Sequence, residues 1–420
     1  MSAMEITFLG SVGEVGKSAI LIKTEKARIL LDYGIKPNDE PEFPAHVAPK
    51  DLDAVVITHA HLDHSGAAPL LYMDEGPKLY STSMSLETCE ILLEDFLRLS
   101  GYYVPYEYLE VEYMLGRAKR VYYREPLKIK DVEIELLDAG HIPGSAQVVI
   151  NADKRLLFTG DINLIKTRLL DGADVSQTDV DVVITESTYA KEAHEDRREL
   201  ERRFIEECYR VVEDGGVVLV PAFSVGRSQE ILCILVAHNF KHMLSTDGMA
   251  VKLLDLYLRN REFIANYGLL EKVRKRVNIV SGKRERKRVL EHPGVIVCPA
   301  GMLKGGPAAY YAQRIANDES SAIFLVSYQI PGTPGALLVS EKKLMINGEE
   351  VPVKARVEHF LFSSHAGQKE LQAFLRSFNP GTKVFTVHGD GDSCEVLANW
   401  AREECSLDAV APSLGMTYEV

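Results

Sequence analysis

The chain has 420 residues, 46% of them hydrophobic and 26% charged, and a formal net charge of −13. That length builds a large core and suggests two or three domains, and no apolar run approaches the roughly 20 residues that span a bilayer. Six scattered cysteines without a C-x-x-C pair exclude a disulfide scaffold and read as buried reduced thiols; with no basic segment leading an apolar stretch at the start, the expectation is a cytoplasmic protein.

Four short β runs open the chain, at 6–9, 18–22, 28–32 and 54–58, and Gly10, Gly13, Gly16 and Gly34 punctuate them. They predict a meandering sheet. The fourth run ends in His59-x-His61-x-Asp63-His64. Four nitrogen and oxygen donors within six residues cannot share one side of a strand or one stripe of a helix, so the chain must turn and splay them. Two adjacent metal sites ask for that arrangement, with His59 and His61 on one ion and Asp63 and His64 turned toward a second. The bland alternative is a histidine-rich surface turn, which seldom follows a buried strand so abruptly. Asp32 closes an apolar strand, where an unpaired acid is costly; it is a turn residue or a partner that orients a nearby ligand.

An amphipathic helix is expected over 85–99 and another over 106–115. Strands at 121–123 and 132–137 lead to Asp138-Ala139-Gly140-His141, and a run at 155–159 leads to Gly160-Asp161. A strand at 180–185 ends in Glu186. The texture then changes to helix 197–212, strand 217–221, helix 226–238, helix 249–267 and strands 277–280, 295–298 and 322–326. Such β/α alternation implies a parallel sheet covered on both faces. Residues 191–355 therefore read as a domain inserted into a first domain formed by 1–190 and 356–420, with Asn347-Gly348 as a hairpin turn near the end of the insertion. The return segment again ends apolar runs in polar groups, Ser363-Ser364-His365 and Val387-His388-Gly389. Residues 252–291 hold 12 Lys and Arg against 5 Asp and Glu, a local +7 that leaves −20 on the rest. A solvated helix face and a phosphate-tracking surface fit that run equally well.

With these residues collected, the chain resembles the metallo-β-lactamase superfamily and, within it, the β-CASP branch of nucleic-acid-processing nucleases, including short archaeal and bacterial relatives of the cleavage and polyadenylation specificity factor. The resemblance covers essentially the whole chain. It rests on the His59 to His64 motif, the Asp138-Ala139-Gly140-His141 and Gly160-Asp161 turns, and three marks of the branch, Glu186, His365 and His388. It implies an α/β fold, an αββα sandwich carrying the metals with the β-CASP α/β domain inserted as a cap. It implies two Zn2+, the first on His59, His61 and His141, the second on Asp63, His64 and His388, with Asp161 bridging. His365 would act near the leaving group with Glu186 supporting it; Asp32 and Asp63 are the other acids placed in the chemistry, and Ser363 and Ser364 would contact phosphates. The implied activity is hydrolysis of RNA phosphodiester bonds, endonucleolytic or 5′-to-3′ exonucleolytic, in RNA processing or decay. A DNA-processing nuclease of the same branch is the enzymatic alternative. A non-catalytic RNA-binding scaffold is the other, and it predicts missing ligands, whereas all seven are present. Relatives often dimerise, so a homodimer is expected, with the apolar segment 407–420 contributing.

Overall fold

Alternation along the early strands gives each of them two cores to fill. Ile20, Ile22, Ile29, Leu31 and Val56 face one buried cluster, while Leu30 and Val55 face another, the two-residue period of strands covered on both sides. The computed structural model describes residues 3–38, 40–100, 103–346 and 348–420. It divides into two units, one of residues 1–166, 172–193 and 365–420, the other of residues 167–171 and 194–364.

In the first unit, Glu5–Phe8, Ile20–Lys23 and Arg28–Leu31 run antiparallel. Ala54–Val56, Lys78–Ser81 and Ala118–Arg120 then add in parallel. The meander expected for residues 4–80 is therefore confined to its first three strands, since parallel neighbours need crossover connections. The sixth of these strands lies three residues before the expected 121–123, because pairing of Leu79 with Ala118 sets the register and the β propensity of Val121-Tyr122-Tyr123 does not. A second seven-stranded sheet contains Val132–Asp138, Ala146–Asn151, Arg155–Phe158, Val182–Glu186 and Lys383–Val387. The inner faces of the two sheets share a core around Phe8, Leu136, Phe158 and Phe385. Helices Ser83–Ser100 and Tyr108–Gly116 cover the outside of the first sheet, and Gln368–Leu375 and Ser393–Cys405 the outside of the second. The layers are thus αββα. The segment 407–420, expected at a dimer contact, adds an edge strand to each sheet and leaves Leu414 and Met416 exposed.

One backbone staple fixes the motif turn. The amides of Tyr33 and Ile35 donate to the carbonyls of His64 and Leu62, and Ser18 donates to that of Asp63. Gly34 lies so close that a Cβ there would sit 1.7 Å from the Asp63 oxygen and 2.0 Å from its carbonyl carbon. Both are backbone atoms and cannot swing aside. Gly34→Ala is expected to destabilise the fold by about 3 kcal/mol or more. Denaturant unfolding checks this; a wild-type midpoint would show that the turn yields without cost.

The second unit is built on a six-stranded, wholly parallel sheet containing Val217–Pro221, Met243–Asp247, Asn278–Val280, Gly294–Cys298, Ala322–Leu325 and Arg356–His359. Its last strand pairs with Ala322–Leu325, so residues 356–359, which the sequence assigned to the return segment, complete this sheet. The helix expected over 249–267 is two helices, Met249–Arg259 and Tyr267–Arg276. Asn260 leaves helical backbone with φ −119° and ψ 65°, and the Asn266 side chain accepts the Leu269 amide to start the second helix. Asparagine favours such termini over helix interiors. Of the turn expected at Asn347-Gly348, Asn347 lies outside the described residues; Lys343–Ile346 and Glu349–Pro352 pair antiparallel around it. All six cysteines are unbridged and five are buried. Among the described residues no helix is long and apolar enough to cross a membrane.

Candidate metal centre

Strands that run the same way end on the same edge, and this sorts the polar groups. Arg28–Leu31 and Ala54–Val56 are parallel neighbours, as are Arg155–Phe158, Val182–Glu186 and Lys383–Val387. Val132–Asp138 shares the direction of Arg155–Phe158 because both pair antiparallel with Ala146–Asn151. Asp32, the His59 to His64 turn, His141, Asp161, Glu186 and His388 all lie at or just beyond the carboxyl ends of these strands.

Local chemistry aims each of them. Asp138 accepts the Gly140 amide at 2.8 Å, and the Ser145 hydroxyl accepts the His141 amide at 3.2 Å, which pins the turn that carries His141. Gly140 has φ +67°, and a Cβ there would meet the Asn163 oxygen at 2.5 Å. The Glu186 carboxylate accepts the Ile162 amide at 2.8 Å, next to Asp161. His388 sits at φ +54° with its amide on the Ser11 carbonyl at 2.8 Å.

Two quartets result, His59, His61, His141 and Asp161, and Asp63, His64, Asp161 and His388. Within the first, His59 Nε2 and His141 Nε2 lie 3.2 and 3.1 Å from His61 Nδ1. Asp161 Oδ2 lies 3.5 and 3.7 Å from His59 Nε2 and His141 Nε2. Donors about 2.0–2.1 Å from a tetrahedral zinc stand roughly 3.3 Å apart, so these separations suit that ion. Its other oxygen, Oδ1, faces the second quartet, 3.2 Å from His64 Nε2 and 3.4 Å from His388 Nδ1. Asp63 Oδ2 is 3.3 Å from His388 Nε2. His64 Nε2 and Asp161 Oδ1 are buried without a hydrogen-bond partner. Buried polar atoms without a hydrogen-bond partner are costly unless an ion satisfies them, and a set of imidazoles and carboxylates fits zinc.

The electrostatics divide the donors: against the effect of burial, Asp161 and Asp32 raise His64 well above its usual pKa and Asp161 and Asp63 raise His388, so a cation there takes the place of their protons. Burial, and then the nearby His64 charge, hold His59 well below its usual pKa, and burial depresses His61 to about 4. Both imidazoles are therefore neutral, as metal donors must be. Burial alone would raise Asp161, but His388 and His64 overcome it and keep the carboxylate ionised. A third group joins Asp161 to Glu186 and His365. The Nδ1 of His365 lies 2.9 and 3.0 Å from the two Glu186 oxygens, so it carries the proton they accept, and Nε2 is the nitrogen that can hand a proton to a substrate. Burial would discharge this imidazole, yet Glu186 and then Asp161 outweigh it and hold its pKa at about 9.

Asp32 is fully buried. Its carboxylate takes His64 Nδ1 at 2.7 Å, the Thr58 hydroxyl at 3.0 Å, the Thr58 amide at 2.8 Å and the Ser18 hydroxyl at 3.2 Å. These bonds suit the orienting reading of Asp32, and its φ of +57° is the left-handed backbone that a turn residue adopts. In the second unit, the Ser364 hydroxyl is held at 2.6 Å by the Arg227 guanidinium, and Ser363 is buried.

Sequence reasoning passed over Thr58, Thr188 and Arg227. The hydroxyl of Thr58, the residue just before the His59 to His64 motif, also reaches His59 Nδ1 at 3.1 Å, and Thr188 reaches His388 Nδ1 at 3.3 Å; a hydroxyl next to a donor histidine was the available signal for Thr58, and Thr188 had none. Thr58→Val is expected to weaken zinc affinity roughly 10- to 100-fold while the fold melts normally. Competition with a chelating dye measures it, and wild-type affinity would show that Thr58 orients nothing.

Residues 12–199 match the Metallo-beta-lactamase superfamily, residues 228–338 the Beta-Casp domain and residues 350–412 the Zn-dependent metallo-hydrolase RNA specificity domain. The protein called RNase aCSPSF2 in Saccharolobus solfataricus is 39% identical over 98% of this chain and 84% of its own length. Probable RNase MJ4 of Methanocaldococcus jannaschii is 38% identical over 98% of this chain and 99% of its own. The crystal structure of a protein of unknown function from Enterococcus faecalis has the same fold, with a TM-score of 0.62 over 100% of both chains at 14% identity.

Proposed function

Because this chain belongs to the β-CASP branch of the metallo-β-lactamase superfamily, we propose that it is a zinc-dependent ribonuclease that hydrolyses RNA phosphodiester bonds in RNA processing or decay. The reading is carried by one observation: seven nitrogen and oxygen donors from four stretches of sequence meet in two quartets that share the two oxygens of Asp161. We assign one zinc to His59, His61 and His141 and a second to Asp63, His64 and His388, with Asp161 common to both. The first unit is then the catalytic domain and the second the β-CASP insertion.

Bound zinc supplies a water acidic enough to be a hydroxide near neutral pH and polarises the phosphate oxygens. The residues of the chain do the rest. Asp32 holds His64 by its Nδ1, so that Nε2 faces the site. His365, kept protonated by Glu186, gives its Nε2 proton to the leaving ribose oxygen. Glu186 also fixes the loop carrying Asp161 through the Ile162 amide. Ser363 and Ser364 are the proposed phosphate contacts, and the Ser364 hydroxyl accepts a hydrogen bond from Arg227.

The test is digestion of matched RNA and DNA oligonucleotides, the RNA labelled at one end and carrying a 5′-monophosphate or a 5′-triphosphate. Cleavage of RNA with DNA left whole supports the proposal. Mononucleotides released only from the monophosphate form identify 5′-to-3′ exonucleolytic action, and internal fragments from both forms identify endonucleolytic action. Preference for DNA makes the protein a DNA nuclease, and zinc-replete protein that binds RNA without cutting it is a scaffold; either result overturns the assignment.

A further inference from the structure

Asn278–Val280 is the outermost strand of the six-stranded sheet. The chain enters it from helix Tyr267–Arg276 and leaves it into helix Lys283–Val289. On those helices Lys272, Lys275, Lys283, Arg284 and Lys287 are exposed, and among the described residues none of the five forms an ion pair. Other cations of the same run are used internally. Arg274 pairs with Asp255 at 3.0 Å. Arg286 grips the buried Asp247 through two nitrogens at 2.7 and 3.0 Å, and Tyr311 donates to the same carboxylate at 2.9 Å. Arg276 caps the Lys241 carbonyl at 2.9 Å. Arg276 and Arg286 tie these helices to the sheet and its approach, so six cations remain at the surface, the five named and Arg288, which lies near Glu285. Arg314 on helix Gly306–Ile315 extends it: its guanidinium lies 3.5 Å from the centre of the Tyr310 ring, which is also 5.7 Å from Arg286.

The chain has 61 acidic residues, so acids to neutralise this edge are not scarce, yet among the described residues none forms an ion pair with these five. Concentrated like charge repels itself and favours binding a polyanion, whose condensed counterions are released when phosphates take their place. Acidic proteins would need complementary shape, whereas exposed cations spread over the two helices that flank the edge strand suit a flexible backbone with a charge at every residue.

We infer that this edge is a docking surface for the phosphate backbone of RNA, adding affinity and no chemistry. The inference rests on the ribonuclease reading above. A different use of the same residues is to shield the edge strand from pairing with other sheets, a common role of lysine beside exposed strands.

The experiment measures, by fluorescence anisotropy, binding of a 24-nucleotide RNA with phosphorothioate linkages across a salt series. It compares the full chain with a variant carrying Lys272→Gln, Lys275→Gln, Lys283→Gln, Arg284→Gln and Lys287→Gln. Loss of five phosphate contacts is expected to flatten the slope of log K against log salt by about 3.5 for a single strand and to weaken binding more than tenfold at low salt. A second variant with the four lysines changed to arginine keeps the charge and is expected to keep both values. Unchanged slope and affinity in the glutamine variant overturn the inference. So does a glutamine variant that aggregates while its soluble fraction binds as wild type, which assigns the lysines to edge protection. Failure of the parent enzyme to cut RNA is read in the digestion assay and bears on the ribonuclease assignment alone.

Discussion

Asp161→Ala is expected to retain less than half of the wild-type zinc and to lose turnover by roughly a thousandfold or more, since the charge stabilisation it disrupts is worth several kcal/mol. Asp161 belongs to both quartets, one oxygen toward His59 and His141 and the other toward His64 and His388. Removing it leaves the imidazoles of both groups without their shared counter-charge and opens a void in a buried place. Elemental analysis of dialysed protein with single-turnover kinetics tests this. Full zinc occupancy in Asp161→Ala would show that Asp161 is not a ligand of either ion, whatever the activity.

His365→Ala is expected to behave oppositely toward metal: zinc content as in wild type, with turnover down by about 10²- to 10⁴-fold, the range for loss of a positioned proton donor. The reason is its partner. His365 Nδ1 is engaged by Glu186, so its role in the proposal is protonic. Zinc loss in His365→Ala would mean that the imidazole is a ligand and the assignment is wrong. A pH profile separates its role from simple packing. With a pKa of about 9, raised above the usual 6.5, the imidazolium is present below that pH and lost as pH rises through it, so the alkaline limb of activity should report it. Cations on the neighbouring donors add positive charge and move the limb to lower pH, so Glu186→Gln is compared with wild type at equal zinc content. Removing the raising carboxylate should shift the limb further down. The same sign applies to stability of the zinc-free protein: the His365–Glu186 pair contributes fully below about pH 6.5 and ceases to as pH rises through about 9.

Much of the centre was legible because its signals are local. Three histidines and an aspartate packed into six residues after an apolar run state their chemistry without reference to anything else. His141, Asp161, Glu186 and His388 each stood at the end of an apolar run; the parallel sheet of the insertion followed from β/α alternation, and the αββα layers from the family resemblance. The errors share a cause. The strand expected at 121–123 slid to Ala118–Arg120, the strand Met243–Asp247 went unseen, and Arg356–His359 joined the other sheet, because strand limits are chosen by partners distant in sequence.

Sequence alone therefore determined the donor inventory, the family and the kinds of layer. Only the tertiary structure decided which oxygen of Asp161 faces which quartet, that Thr58 and Asp32 jointly hold His64, and that Arg227 is hydrogen-bonded to Ser364. Those are matters of a few tenths of an ångström between side chains as distant in sequence as Asp161 and His388. A hydrogen bond depends on distance and angle after the backbone has folded, and neither is encoded in the spacing of residues along the chain.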